Sequence, residues 1–421
     1  MDSREAAVSS QIFKTYEAVL ANPSRAQIMA ELATQLADSG TRRELTSGSA
    51  DVASTGGPAS LSTLLCPLML AADVLLVAKV GVAGRPAGGI DVLGTIAGYR
   101  TRLSPSEFEG VLERSGYAHV EADSNWAPAD AALFRYRQQH GTQANPALAI
   151  ASLLAKKLAA GVEFVGLDAR IGPHGNFGES PREGVVNAEL YCEAATLLGL
   201  RPFVFLTNAT VPYQPFVGRG EALYAMNLVV SGTSTKQTAV TEIAWLARHA
   251  ELCASIASAV GVAARTGPVR GVPGTSPSEM WGPEASPISL ASVMEANLSA
   301  QGSSTDAFTY RLMQVDKDPR RDIHASIAGY VQYDLAAIRD LLVRLNTGHK
   351  GSHRAESART QSSYPDIAGA SLHVPSGTYV ERGDCVITIR DAVGRPLEKK
   401  TELFRMLKTP GSPDNELIAV I

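Results

Sequence analysis

Cysteine is scarce and scattered in this chain. Cys66, Cys192, Cys253 and Cys385 lie far apart among 421 residues, with no CxxC pair and no histidine at metal-ligand spacing. That excludes a disulfide framework and a Cys/His zinc module, and it fits reduced, buried thiols. An excess of either charge is also missing. Lys and Arg number 38 against 42 Asp and Glu, a formal net charge of -4. Whole-chain electrostatics therefore argue against nonspecific nucleic-acid binding and leave only local basic pockets open. No apolar run of membrane-spanning length is unbroken. The longest, Leu61 to Val80, is interrupted by Pro67, Asp73 and Lys79, so it is expected to be a buried helix running into a strand. The first residues, MDSREAAVSSQIFK, carry acidic groups and no apolar stretch of the signal-peptide kind. The expectation is a cytoplasmic protein with no membrane and no nucleic-acid partner.

What is present is the composition of a globular protein, 45% hydrophobic and 19% charged. The length exceeds one ordinary core, so two or three subdomains are expected. Ile12, Tyr16, Val19 and Leu20, then Ile28, Leu32 and Leu36, recur at helical spacing. Asn22-Pro23-Ser24 breaks the first helix and can cap the second. Residues 40–50 are polar and without period, and read as a linker. From Asp51 a Gly-rich turn, an apolar helix and an apolar strand set the rhythm of an α/β layer. Residues 129–161 return to helix. VEFVGLDARIG (162–172) and PFVFLTN (202–208) read as strands, with helices at Gly184 to Leu198, about 219–231 and 238–261. The Pro/Gly/Ser-rich 265–287 segment reads as a surface excursion and the polar 347–363 segment as a mobile loop. SLHVPSGTYVERGDCVITIRD (371–391) alternates with glycine turns, as in a small β-rich subdomain. There is no internal repeat and no coiled-coil heptad.

Five stretches, in order, resemble the thymidine and pyrimidine nucleoside phosphorylases, the class II nucleoside phosphorylases. DVASTGG (51–57) stands where that family has Asp-Lys-His-Ser-Thr-Gly-Gly. GGIDVLGTIAGYRT (88–101) resembles its Gly-Gly-Thr-Leu-Asp-Lys-Leu segment with one residue missing. WAPADAALFRYRQQHGTQANPALAIASLLAKKLAAG (126–161) follows the family without a gap, and FVGLDARIGPHGNFG (164–178) and GASLHVPSGTYVERGDCVITI (369–389) resemble its later blocks. The resemblance implies an α/β protein: a small all-helical domain (1–45 and 125–161), a large α/β domain (46–124 and 162–335) and a C-terminal α+β, β-rich subdomain (336–421). A cleft between the domains would close over substrate and exclude water. It further implies a homodimer and no cofactor or metal.

Arg137, Ser152 and Lys156 match the family's three pyrimidine-holding residues. Ser152 and Lys156 are four apart and share a helical face. A hydroxyl beside two cations can hold the carbonyl or thione edge of a planar base and stabilise negative charge developing on it. Arg137 and Lys156, with His174 in the loop after a strand, are the candidate catalytic residues. The plainer alternative is that Lys156-Lys157 is a solvated helix face and Arg137 a surface residue. Ser54, Thr55, Gly56 and Gly57 form a glycine turn ahead of a helix, an anion cradle through backbone N–H groups, or else an ordinary tight turn. Thr63, Arg85 and Arg219 are added as anion-holding candidates, although Arg85 and Arg219 could equally be surface cations. Asp168, at the end of a strand, fits either chemistry or a hydrogen bond to a loop.

The departures are informative. Val52 and Ala53 replace the family's Lys and His, and Val80 and Ile90 stand at its phosphate-contacting Ser and Thr. A free phosphate dianion needs several charge-assisted donors, and the acid/base histidine is gone. The reading that follows is a glycosyltransferase, moving a sugar from a nucleotide- or diphosphate-linked donor to a planar azole, thione or pyrimidine. Transferases of antibiotic biosynthesis that glycosylate a thione are the parallel. Two alternatives stand beside it. One is a pyrimidine nucleoside phosphorylase acting on uridine or thymidine; the other is a non-catalytic paralogue that binds a nucleoside or base.

Overall fold

The apolar spacing at the start of the chain yields α1 (Ser10–Ala21) and α2 (Ala26–Ala37). They are seen in a computed structural model that describes residues 8–57, 59–73, 75–84, 88–172, 177–232, 241–266, 289–347, 365–395, 402–411 and 415–421. Ser9 caps α1 by accepting from the Ile12 amide at 3.2 Å. Asn22 caps the end of α1, and the cap of α2 is Arg25 without a side-chain bond, so Ser24 does not cap the second helix. The chain continues through β1 (Thr46–Ser54), α3 (Ser62–Ala72), β2 (Val77–Gly81), α4 (Gly89–Leu93), α5 (Pro105–Ser115) and β3 (Tyr117–Glu121). Then follow α6 (Pro128–Gln139), α7 (Pro146–Ala160), β4 (Val162–Ile171), α8 (Pro181–Leu197), β5 (Arg201–Asn208), β6 (Phe216–Val217), α9 (Arg219–Val230) and α10 (Thr241–Thr266). The C-terminal third holds α11 (Leu290–Ala300), α12 (Thr305–Lys317), β7 (Arg320–His324), β8 (Gly329–Tyr333), α13 (Leu335–Thr347), β9 (Ala368–Leu372), β10 (Tyr379–Val380), β11 (Cys385–Asp391), β12 (Phe404–Leu407) and β13 (Leu417–Val420).

The central sheet runs β1-β4-β5-β13, with the first three strands parallel and β13 antiparallel to β5. The middles of β1, β4 and β5 are buried on both faces, as in a sheet covered on both sides. Val165, Leu167, Ala169, Val204 and Leu206 enter one core with α1, α2, α7 and α8. Ala50, Val52, Phe164 and Phe205 enter a second with α3, α9, α10 and α11. The period-2 alternation of side chains thus feeds two cores from one sheet. The parallel pair β2-β3 lies beside β1, joined through the Ala50 amide on the Leu76 carbonyl at 3.0 Å. The α/β class read from the sequence is the observed one.

The stretch read as a linker, 40–50, becomes β1 from Thr46 onward. Its polar Ser49 is buried because the hydroxyl donates to the Thr46 carbonyl at 2.5 Å and also reaches that of Gly161. α1, α2, α6 and α7 pack on one another. A third core, with Val331, Tyr333, Ile338, Leu341 and Ile387, belongs to two antiparallel sheets, β6-β9-β11-β7 and β10-β8-β12. β7 and β8 precede residue 336 yet pair with these C-terminal strands, and β13 leaves them to finish the central sheet. The sequence RRDIH of β7, almost wholly exposed, lacks the alternation that would have marked it. The 265–287 excursion and the 347–363 loop fall almost entirely outside the described residues. Among those described, no helix is long and apolar enough to cross a membrane.

Candidate active site

Helix α7 is fixed at both ends. Asn145 accepts from the Leu148 amide at 3.1 Å, Pro146 occupies the first turn, and Gly161 ends the helix at φ +66°. Nearly every α7 side chain is buried, including Ser152, Lys156 and Lys157. A buried ammonium needs a partner. Lys156 Nζ donates to Asp130 Oδ2 of α6 and to Ser152 Oγ, both at 2.8 Å, and also to the Ser152 carbonyl. Arg137 of α6 is no surface residue: it is 4% exposed. Its guanidinium donates to the carbonyls of Gln143 (2.8 Å), Leu148 (3.2 Å) and Thr142 (3.4 Å), which ties α6 to the start of α7. Burial lowers its pKa, with Asp130 opposing.

These three residues line a cavity of about 220 Å³, and so do Ser54, Thr55, Gly56, Gly57 and Thr63. Gly56 and Gly57 take φ of +98° and +94°, which favours glycine. The turn is anchored behind by Asp168, whose Oδ2 accepts from Ser62 (2.5 Å), Ser54 and Ser60 (both 3.3 Å), and whose Oδ1 accepts from Thr207 (2.5 Å). Thr55 is held on both sides, its amide on the Asp168 carbonyl at 3.0 Å and its hydroxyl accepting from the Arg170 amide at 2.9 Å. Asp168 thus gathers hydroxyls around the loop and is not among the cavity-lining residues, which favours the loop-anchoring alternative.

Two candidates, Arg85 and His174, lie outside the described residues. Arg219 is buried rather than at the surface. It is 1% exposed, its Nη2 donates to Asp91 Oδ1 at 2.8 Å, and it is not among the cavity-lining residues, although Val217 and Gly218 beside it are. Among the substituted positions, Ala53, Val80 and Ile90 line the cavity. Val52 faces the second core, with Cγ2 2.7 Å from where a Cβ on Gly166 would stand.

Sequence reasoning missed Lys79, Lys157, His119 and Ser60, all of which line the cavity. Asp51, fully buried, lies between the first two. Lys79 Nζ donates to Asp51 Oδ1 at 2.8 Å and to the Val52 carbonyl at 2.6 Å, and Lys157 donates to Asp51 Oδ2. Burial would raise the Asp51 pKa, but the Lys157 and Lys79 charges prevail and hold it down to about 2. Burial draws Lys157 down to about 8 against the pull of Asp51. The available signal was a lysine inside the apolar strand VAKVG, because lysine is rarely buried without a reason. From the C-terminal part, Arg339, Leu342 and Asn346 of α13 and Ala368 complete the lining.

Outside the cavity, Asp322, His373 and Cys385 place one potential ligand atom each within 4.8 Å of one another. The Thr388 hydroxyl sits between them, donating to Asp322 Oδ1 at 2.6 Å and meeting His373 Nε2 at 2.7 Å. The group is therefore hydrogen-bonded within the protein.

No family model matches the chain. Its sequence is similar to the thymidine phosphorylase of Sinorhizobium medicae, 33% identical over 171 residues, which cover 40% of this chain and 39% of that protein. It is similar to the thymidine phosphorylase of Rhizobium meliloti, 34% identical over 171 residues (40% and 38%), and to the pyrimidine-nucleoside phosphorylase of Bacillus subtilis, 30% identical over 164 residues (38% of each). The matched stretch spans about two fifths of the length of these relatives. Among solved structures, anthranilate phosphoribosyltransferase of Thermus thermophilus aligns with TM-score 0.43 and 17% identity, covering 69% of this chain and 84% of that one. The enzyme of Saccharomyces cerevisiae in complex with PRPP and Mg aligns with TM-score 0.44 and 13% identity, covering 70% and 81%. Over that stretch the chain is similar in sequence to the thymidine and pyrimidine-nucleoside phosphorylases.

Proposed function

We propose that the chain is a pentosyltransferase or related glycosyltransferase that joins a sugar's anomeric carbon to a planar heterocycle, with a leaving group other than inorganic phosphate. The observation that carries this reading is the mixed lining of one cavity. Arg137, the Ser152 hydroxyl and the charge of Lys156 can serve a heterocycle edge, while Ala53, Val80 and Ile90 in the same lining are apolar. Lys79 and Lys157 restore cationic charge there, but they share Asp51, so the surplus is one charge rather than the several that a free dianion favours. A diphosphate on a donor brings its own sugar contacts, and the amides of the Ser54 to Gly57 turn can reach its oxygens. In this reaction an acceptor nitrogen or sulfur bonds to the anomeric carbon while the carbon–oxygen bond to the diphosphate breaks. The electron pair leaves with the diphosphate, which takes up the acceptor's proton. Arg137 and Lys156 stabilise the anionic acceptor, as donors fixed in a dry site do well.

The partners in this proposal are a small-molecule donor and an azole, thione or pyrimidine acceptor. A cytoplasmic homodimer is part of it and is checked by sedimentation. A pyrimidine nucleoside phosphorylase is the second reading, favoured by the names of the sequence relatives. Incubation with uridine or thymidine and phosphate separates the two: the proposal expects no phosphate-dependent release of free base, and rapid release would sink it. A non-catalytic paralogue would bind base and turn over no donor.

A further inference from the structure

His119, on β3, was not among the residues singled out from the sequence, yet it lines the cavity while being 1% exposed. Its surroundings are built around the ring. A Cβ on Gly81 would stand 3.2 Å from His119 Nε2 and 3.5 Å from Ile90 Cγ2. A Cβ on Gly89 would stand 2.9 Å from His119 Cε1 and 3.0 Å from Thr63 Oγ1. The two glycines therefore leave the space that the imidazole fills, and Nε2 comes to the neighbourhood of Ile90, where the resembling family has a hydroxyl. At the other edge of the ring, Nδ1 meets the Tyr117 hydroxyl at 3.1 Å.

That contact fixes which nitrogen carries the proton. Tyr117 is 1% exposed, and among the described residues His119 Nδ1 is its hydroxyl's hydrogen-bond partner. A buried hydroxyl must place its hydrogen on an acceptor or bear the cost of leaving it unmatched. Tyr117 is therefore the donor and Nδ1 the acceptor, so the ring proton sits on Nε2. Nε2 has no hydrogen-bond partner among the described residues, and the cavity that His119 lines is where its hydrogen can find one. The charged groups facing the ring are Lys79, Asp51 and Lys157. Burial first, then Lys79 and Lys157, keep the ring well below its ordinary pKa of 6.5, with Asp51 opposing.

We propose that His119, oriented by Tyr117, is an uncharged Nε2–H donor to the phosphoryl oxygens of the donor substrate, replacing the hydroxyls lost at Val80 and Ile90. This rests on the transfer reaction proposed above and names the group that holds its leaving diphosphate. A neutral donor suits a pocket where two lysines already share one carboxylate: it adds a directed hydrogen bond without a further buried charge. Thr63 and the Ser54 to Gly57 turn supply the other donors.

The test uses the full chain with inorganic pyrophosphate as the probe, and it needs no turnover. Calorimetry should show His119→Ala weakening pyrophosphate binding about tenfold, the worth of one hydrogen bond to an anionic acceptor. His119→Gln, whose amide reaches a similar place, should recover much of the loss, and heterocycle binding at Ser152 and Lys156 should not change in either variant. Nitrogen-15 NMR of the imidazole should show the Nε2–H tautomer in the unsubstituted protein and a mixture in Tyr117→Phe. Equal pyrophosphate affinity in the unsubstituted protein and His119→Ala would overturn the role of His119, as would an Nδ1–H ring, and either would leave the transferase reading standing. His119-dependent binding with no sugar transfer from any donor would keep His119 and sink that reading. Absence of pyrophosphate binding to the unsubstituted protein would overturn both.

Discussion

Lys156 and Lys157 leave the same helix in different directions and meet different carboxylates, Asp130 and Asp51. The consequence is a division of labour that the doubled lysine in the sequence does not display. On the proposed reading, Lys156, with Ser152, serves the heterocycle. Removing only that hydroxyl, as in Ser152→Ala, is expected to raise KM for the acceptor about fivefold to tenfold, equivalent to about 1 kcal/mol, and to leave KM for the donor unchanged in steady-state kinetics. On the same reading Lys157 serves the anion side, and its pKa of about 8 gives a pH signature. Below that value Lys79 and Lys157 together outnumber the single Asp51 charge, and above it Lys157 is neutral and the charges balance. Pyrophosphate affinity is therefore expected to fall as pH rises through about 8, read by calorimetry on both sides of that value; a flat profile would contradict the assignment. That Arg137, Ser152 and Lys156 would share one cavity was legible because they sit in an ungapped block of side chains with an obvious chemical pairing. Lys79, Lys157 and His119 were not, because their roles depend on β2, β3 and α7 converging on one cavity, which no local pattern encodes.

At the scale of elements, α7 carries the site because its ends are fixed. Gly161 both adopts φ +66° and approaches the Glu44 carbonyl, where an added Cβ would stand 2.3 Å away. Gly161→Ala is expected to cost about 1–3 kcal/mol from the left-handed backbone alone, with more from the clash, measured by chemical denaturation; a neutral result would show that β1 and α7 can part at no cost. The helices were readable from apolar spacing and caps, and the buried strands from their apolar runs. β1 was hidden in part because Ser49 is polar yet buried, its hydroxyl satisfied by the nearby Thr46 carbonyl and by that of Gly161, distant in sequence. β7 was hidden because it is an exposed strand whose identity comes only from pairing with β11.

At the scale of the molecule, three cores meet around one cavity. The first supplies α6 and α7, the second supports β1 and α3, and the third contributes α13. The end of the chain returns to hold them: β13 pairs with β5, and Glu416 beside it accepts at 2.7 Å from His249 Nδ1, whose Nε2 accepts from the Leu61 amide at 3.1 Å. The start of α3, next to the glycine turn, is thereby tied to the far end of the sequence. Such long-range closure, like the pairing of β7 and β8 with later strands and of β13 with β5, is set by backbone pairing that composition and periodicity do not specify. The α/β class followed from the sequence, while the convergence of Lys79, Lys157 and His119 on one cavity did not.

The most direct measurement supplies the protein with diphosphate-linked and nucleotide-linked sugars and a set of azole, thione and pyrimidine acceptors, and follows phosphorus-31 NMR. The same protein is given uridine and phosphate in parallel. The account expects release of diphosphate or nucleotide that depends on one acceptor class and on Ser152 and Lys156, with no sugar 1-phosphate formed from uridine. Rapid formation of sugar 1-phosphate from uridine, with no transfer from any activated donor, would contradict it.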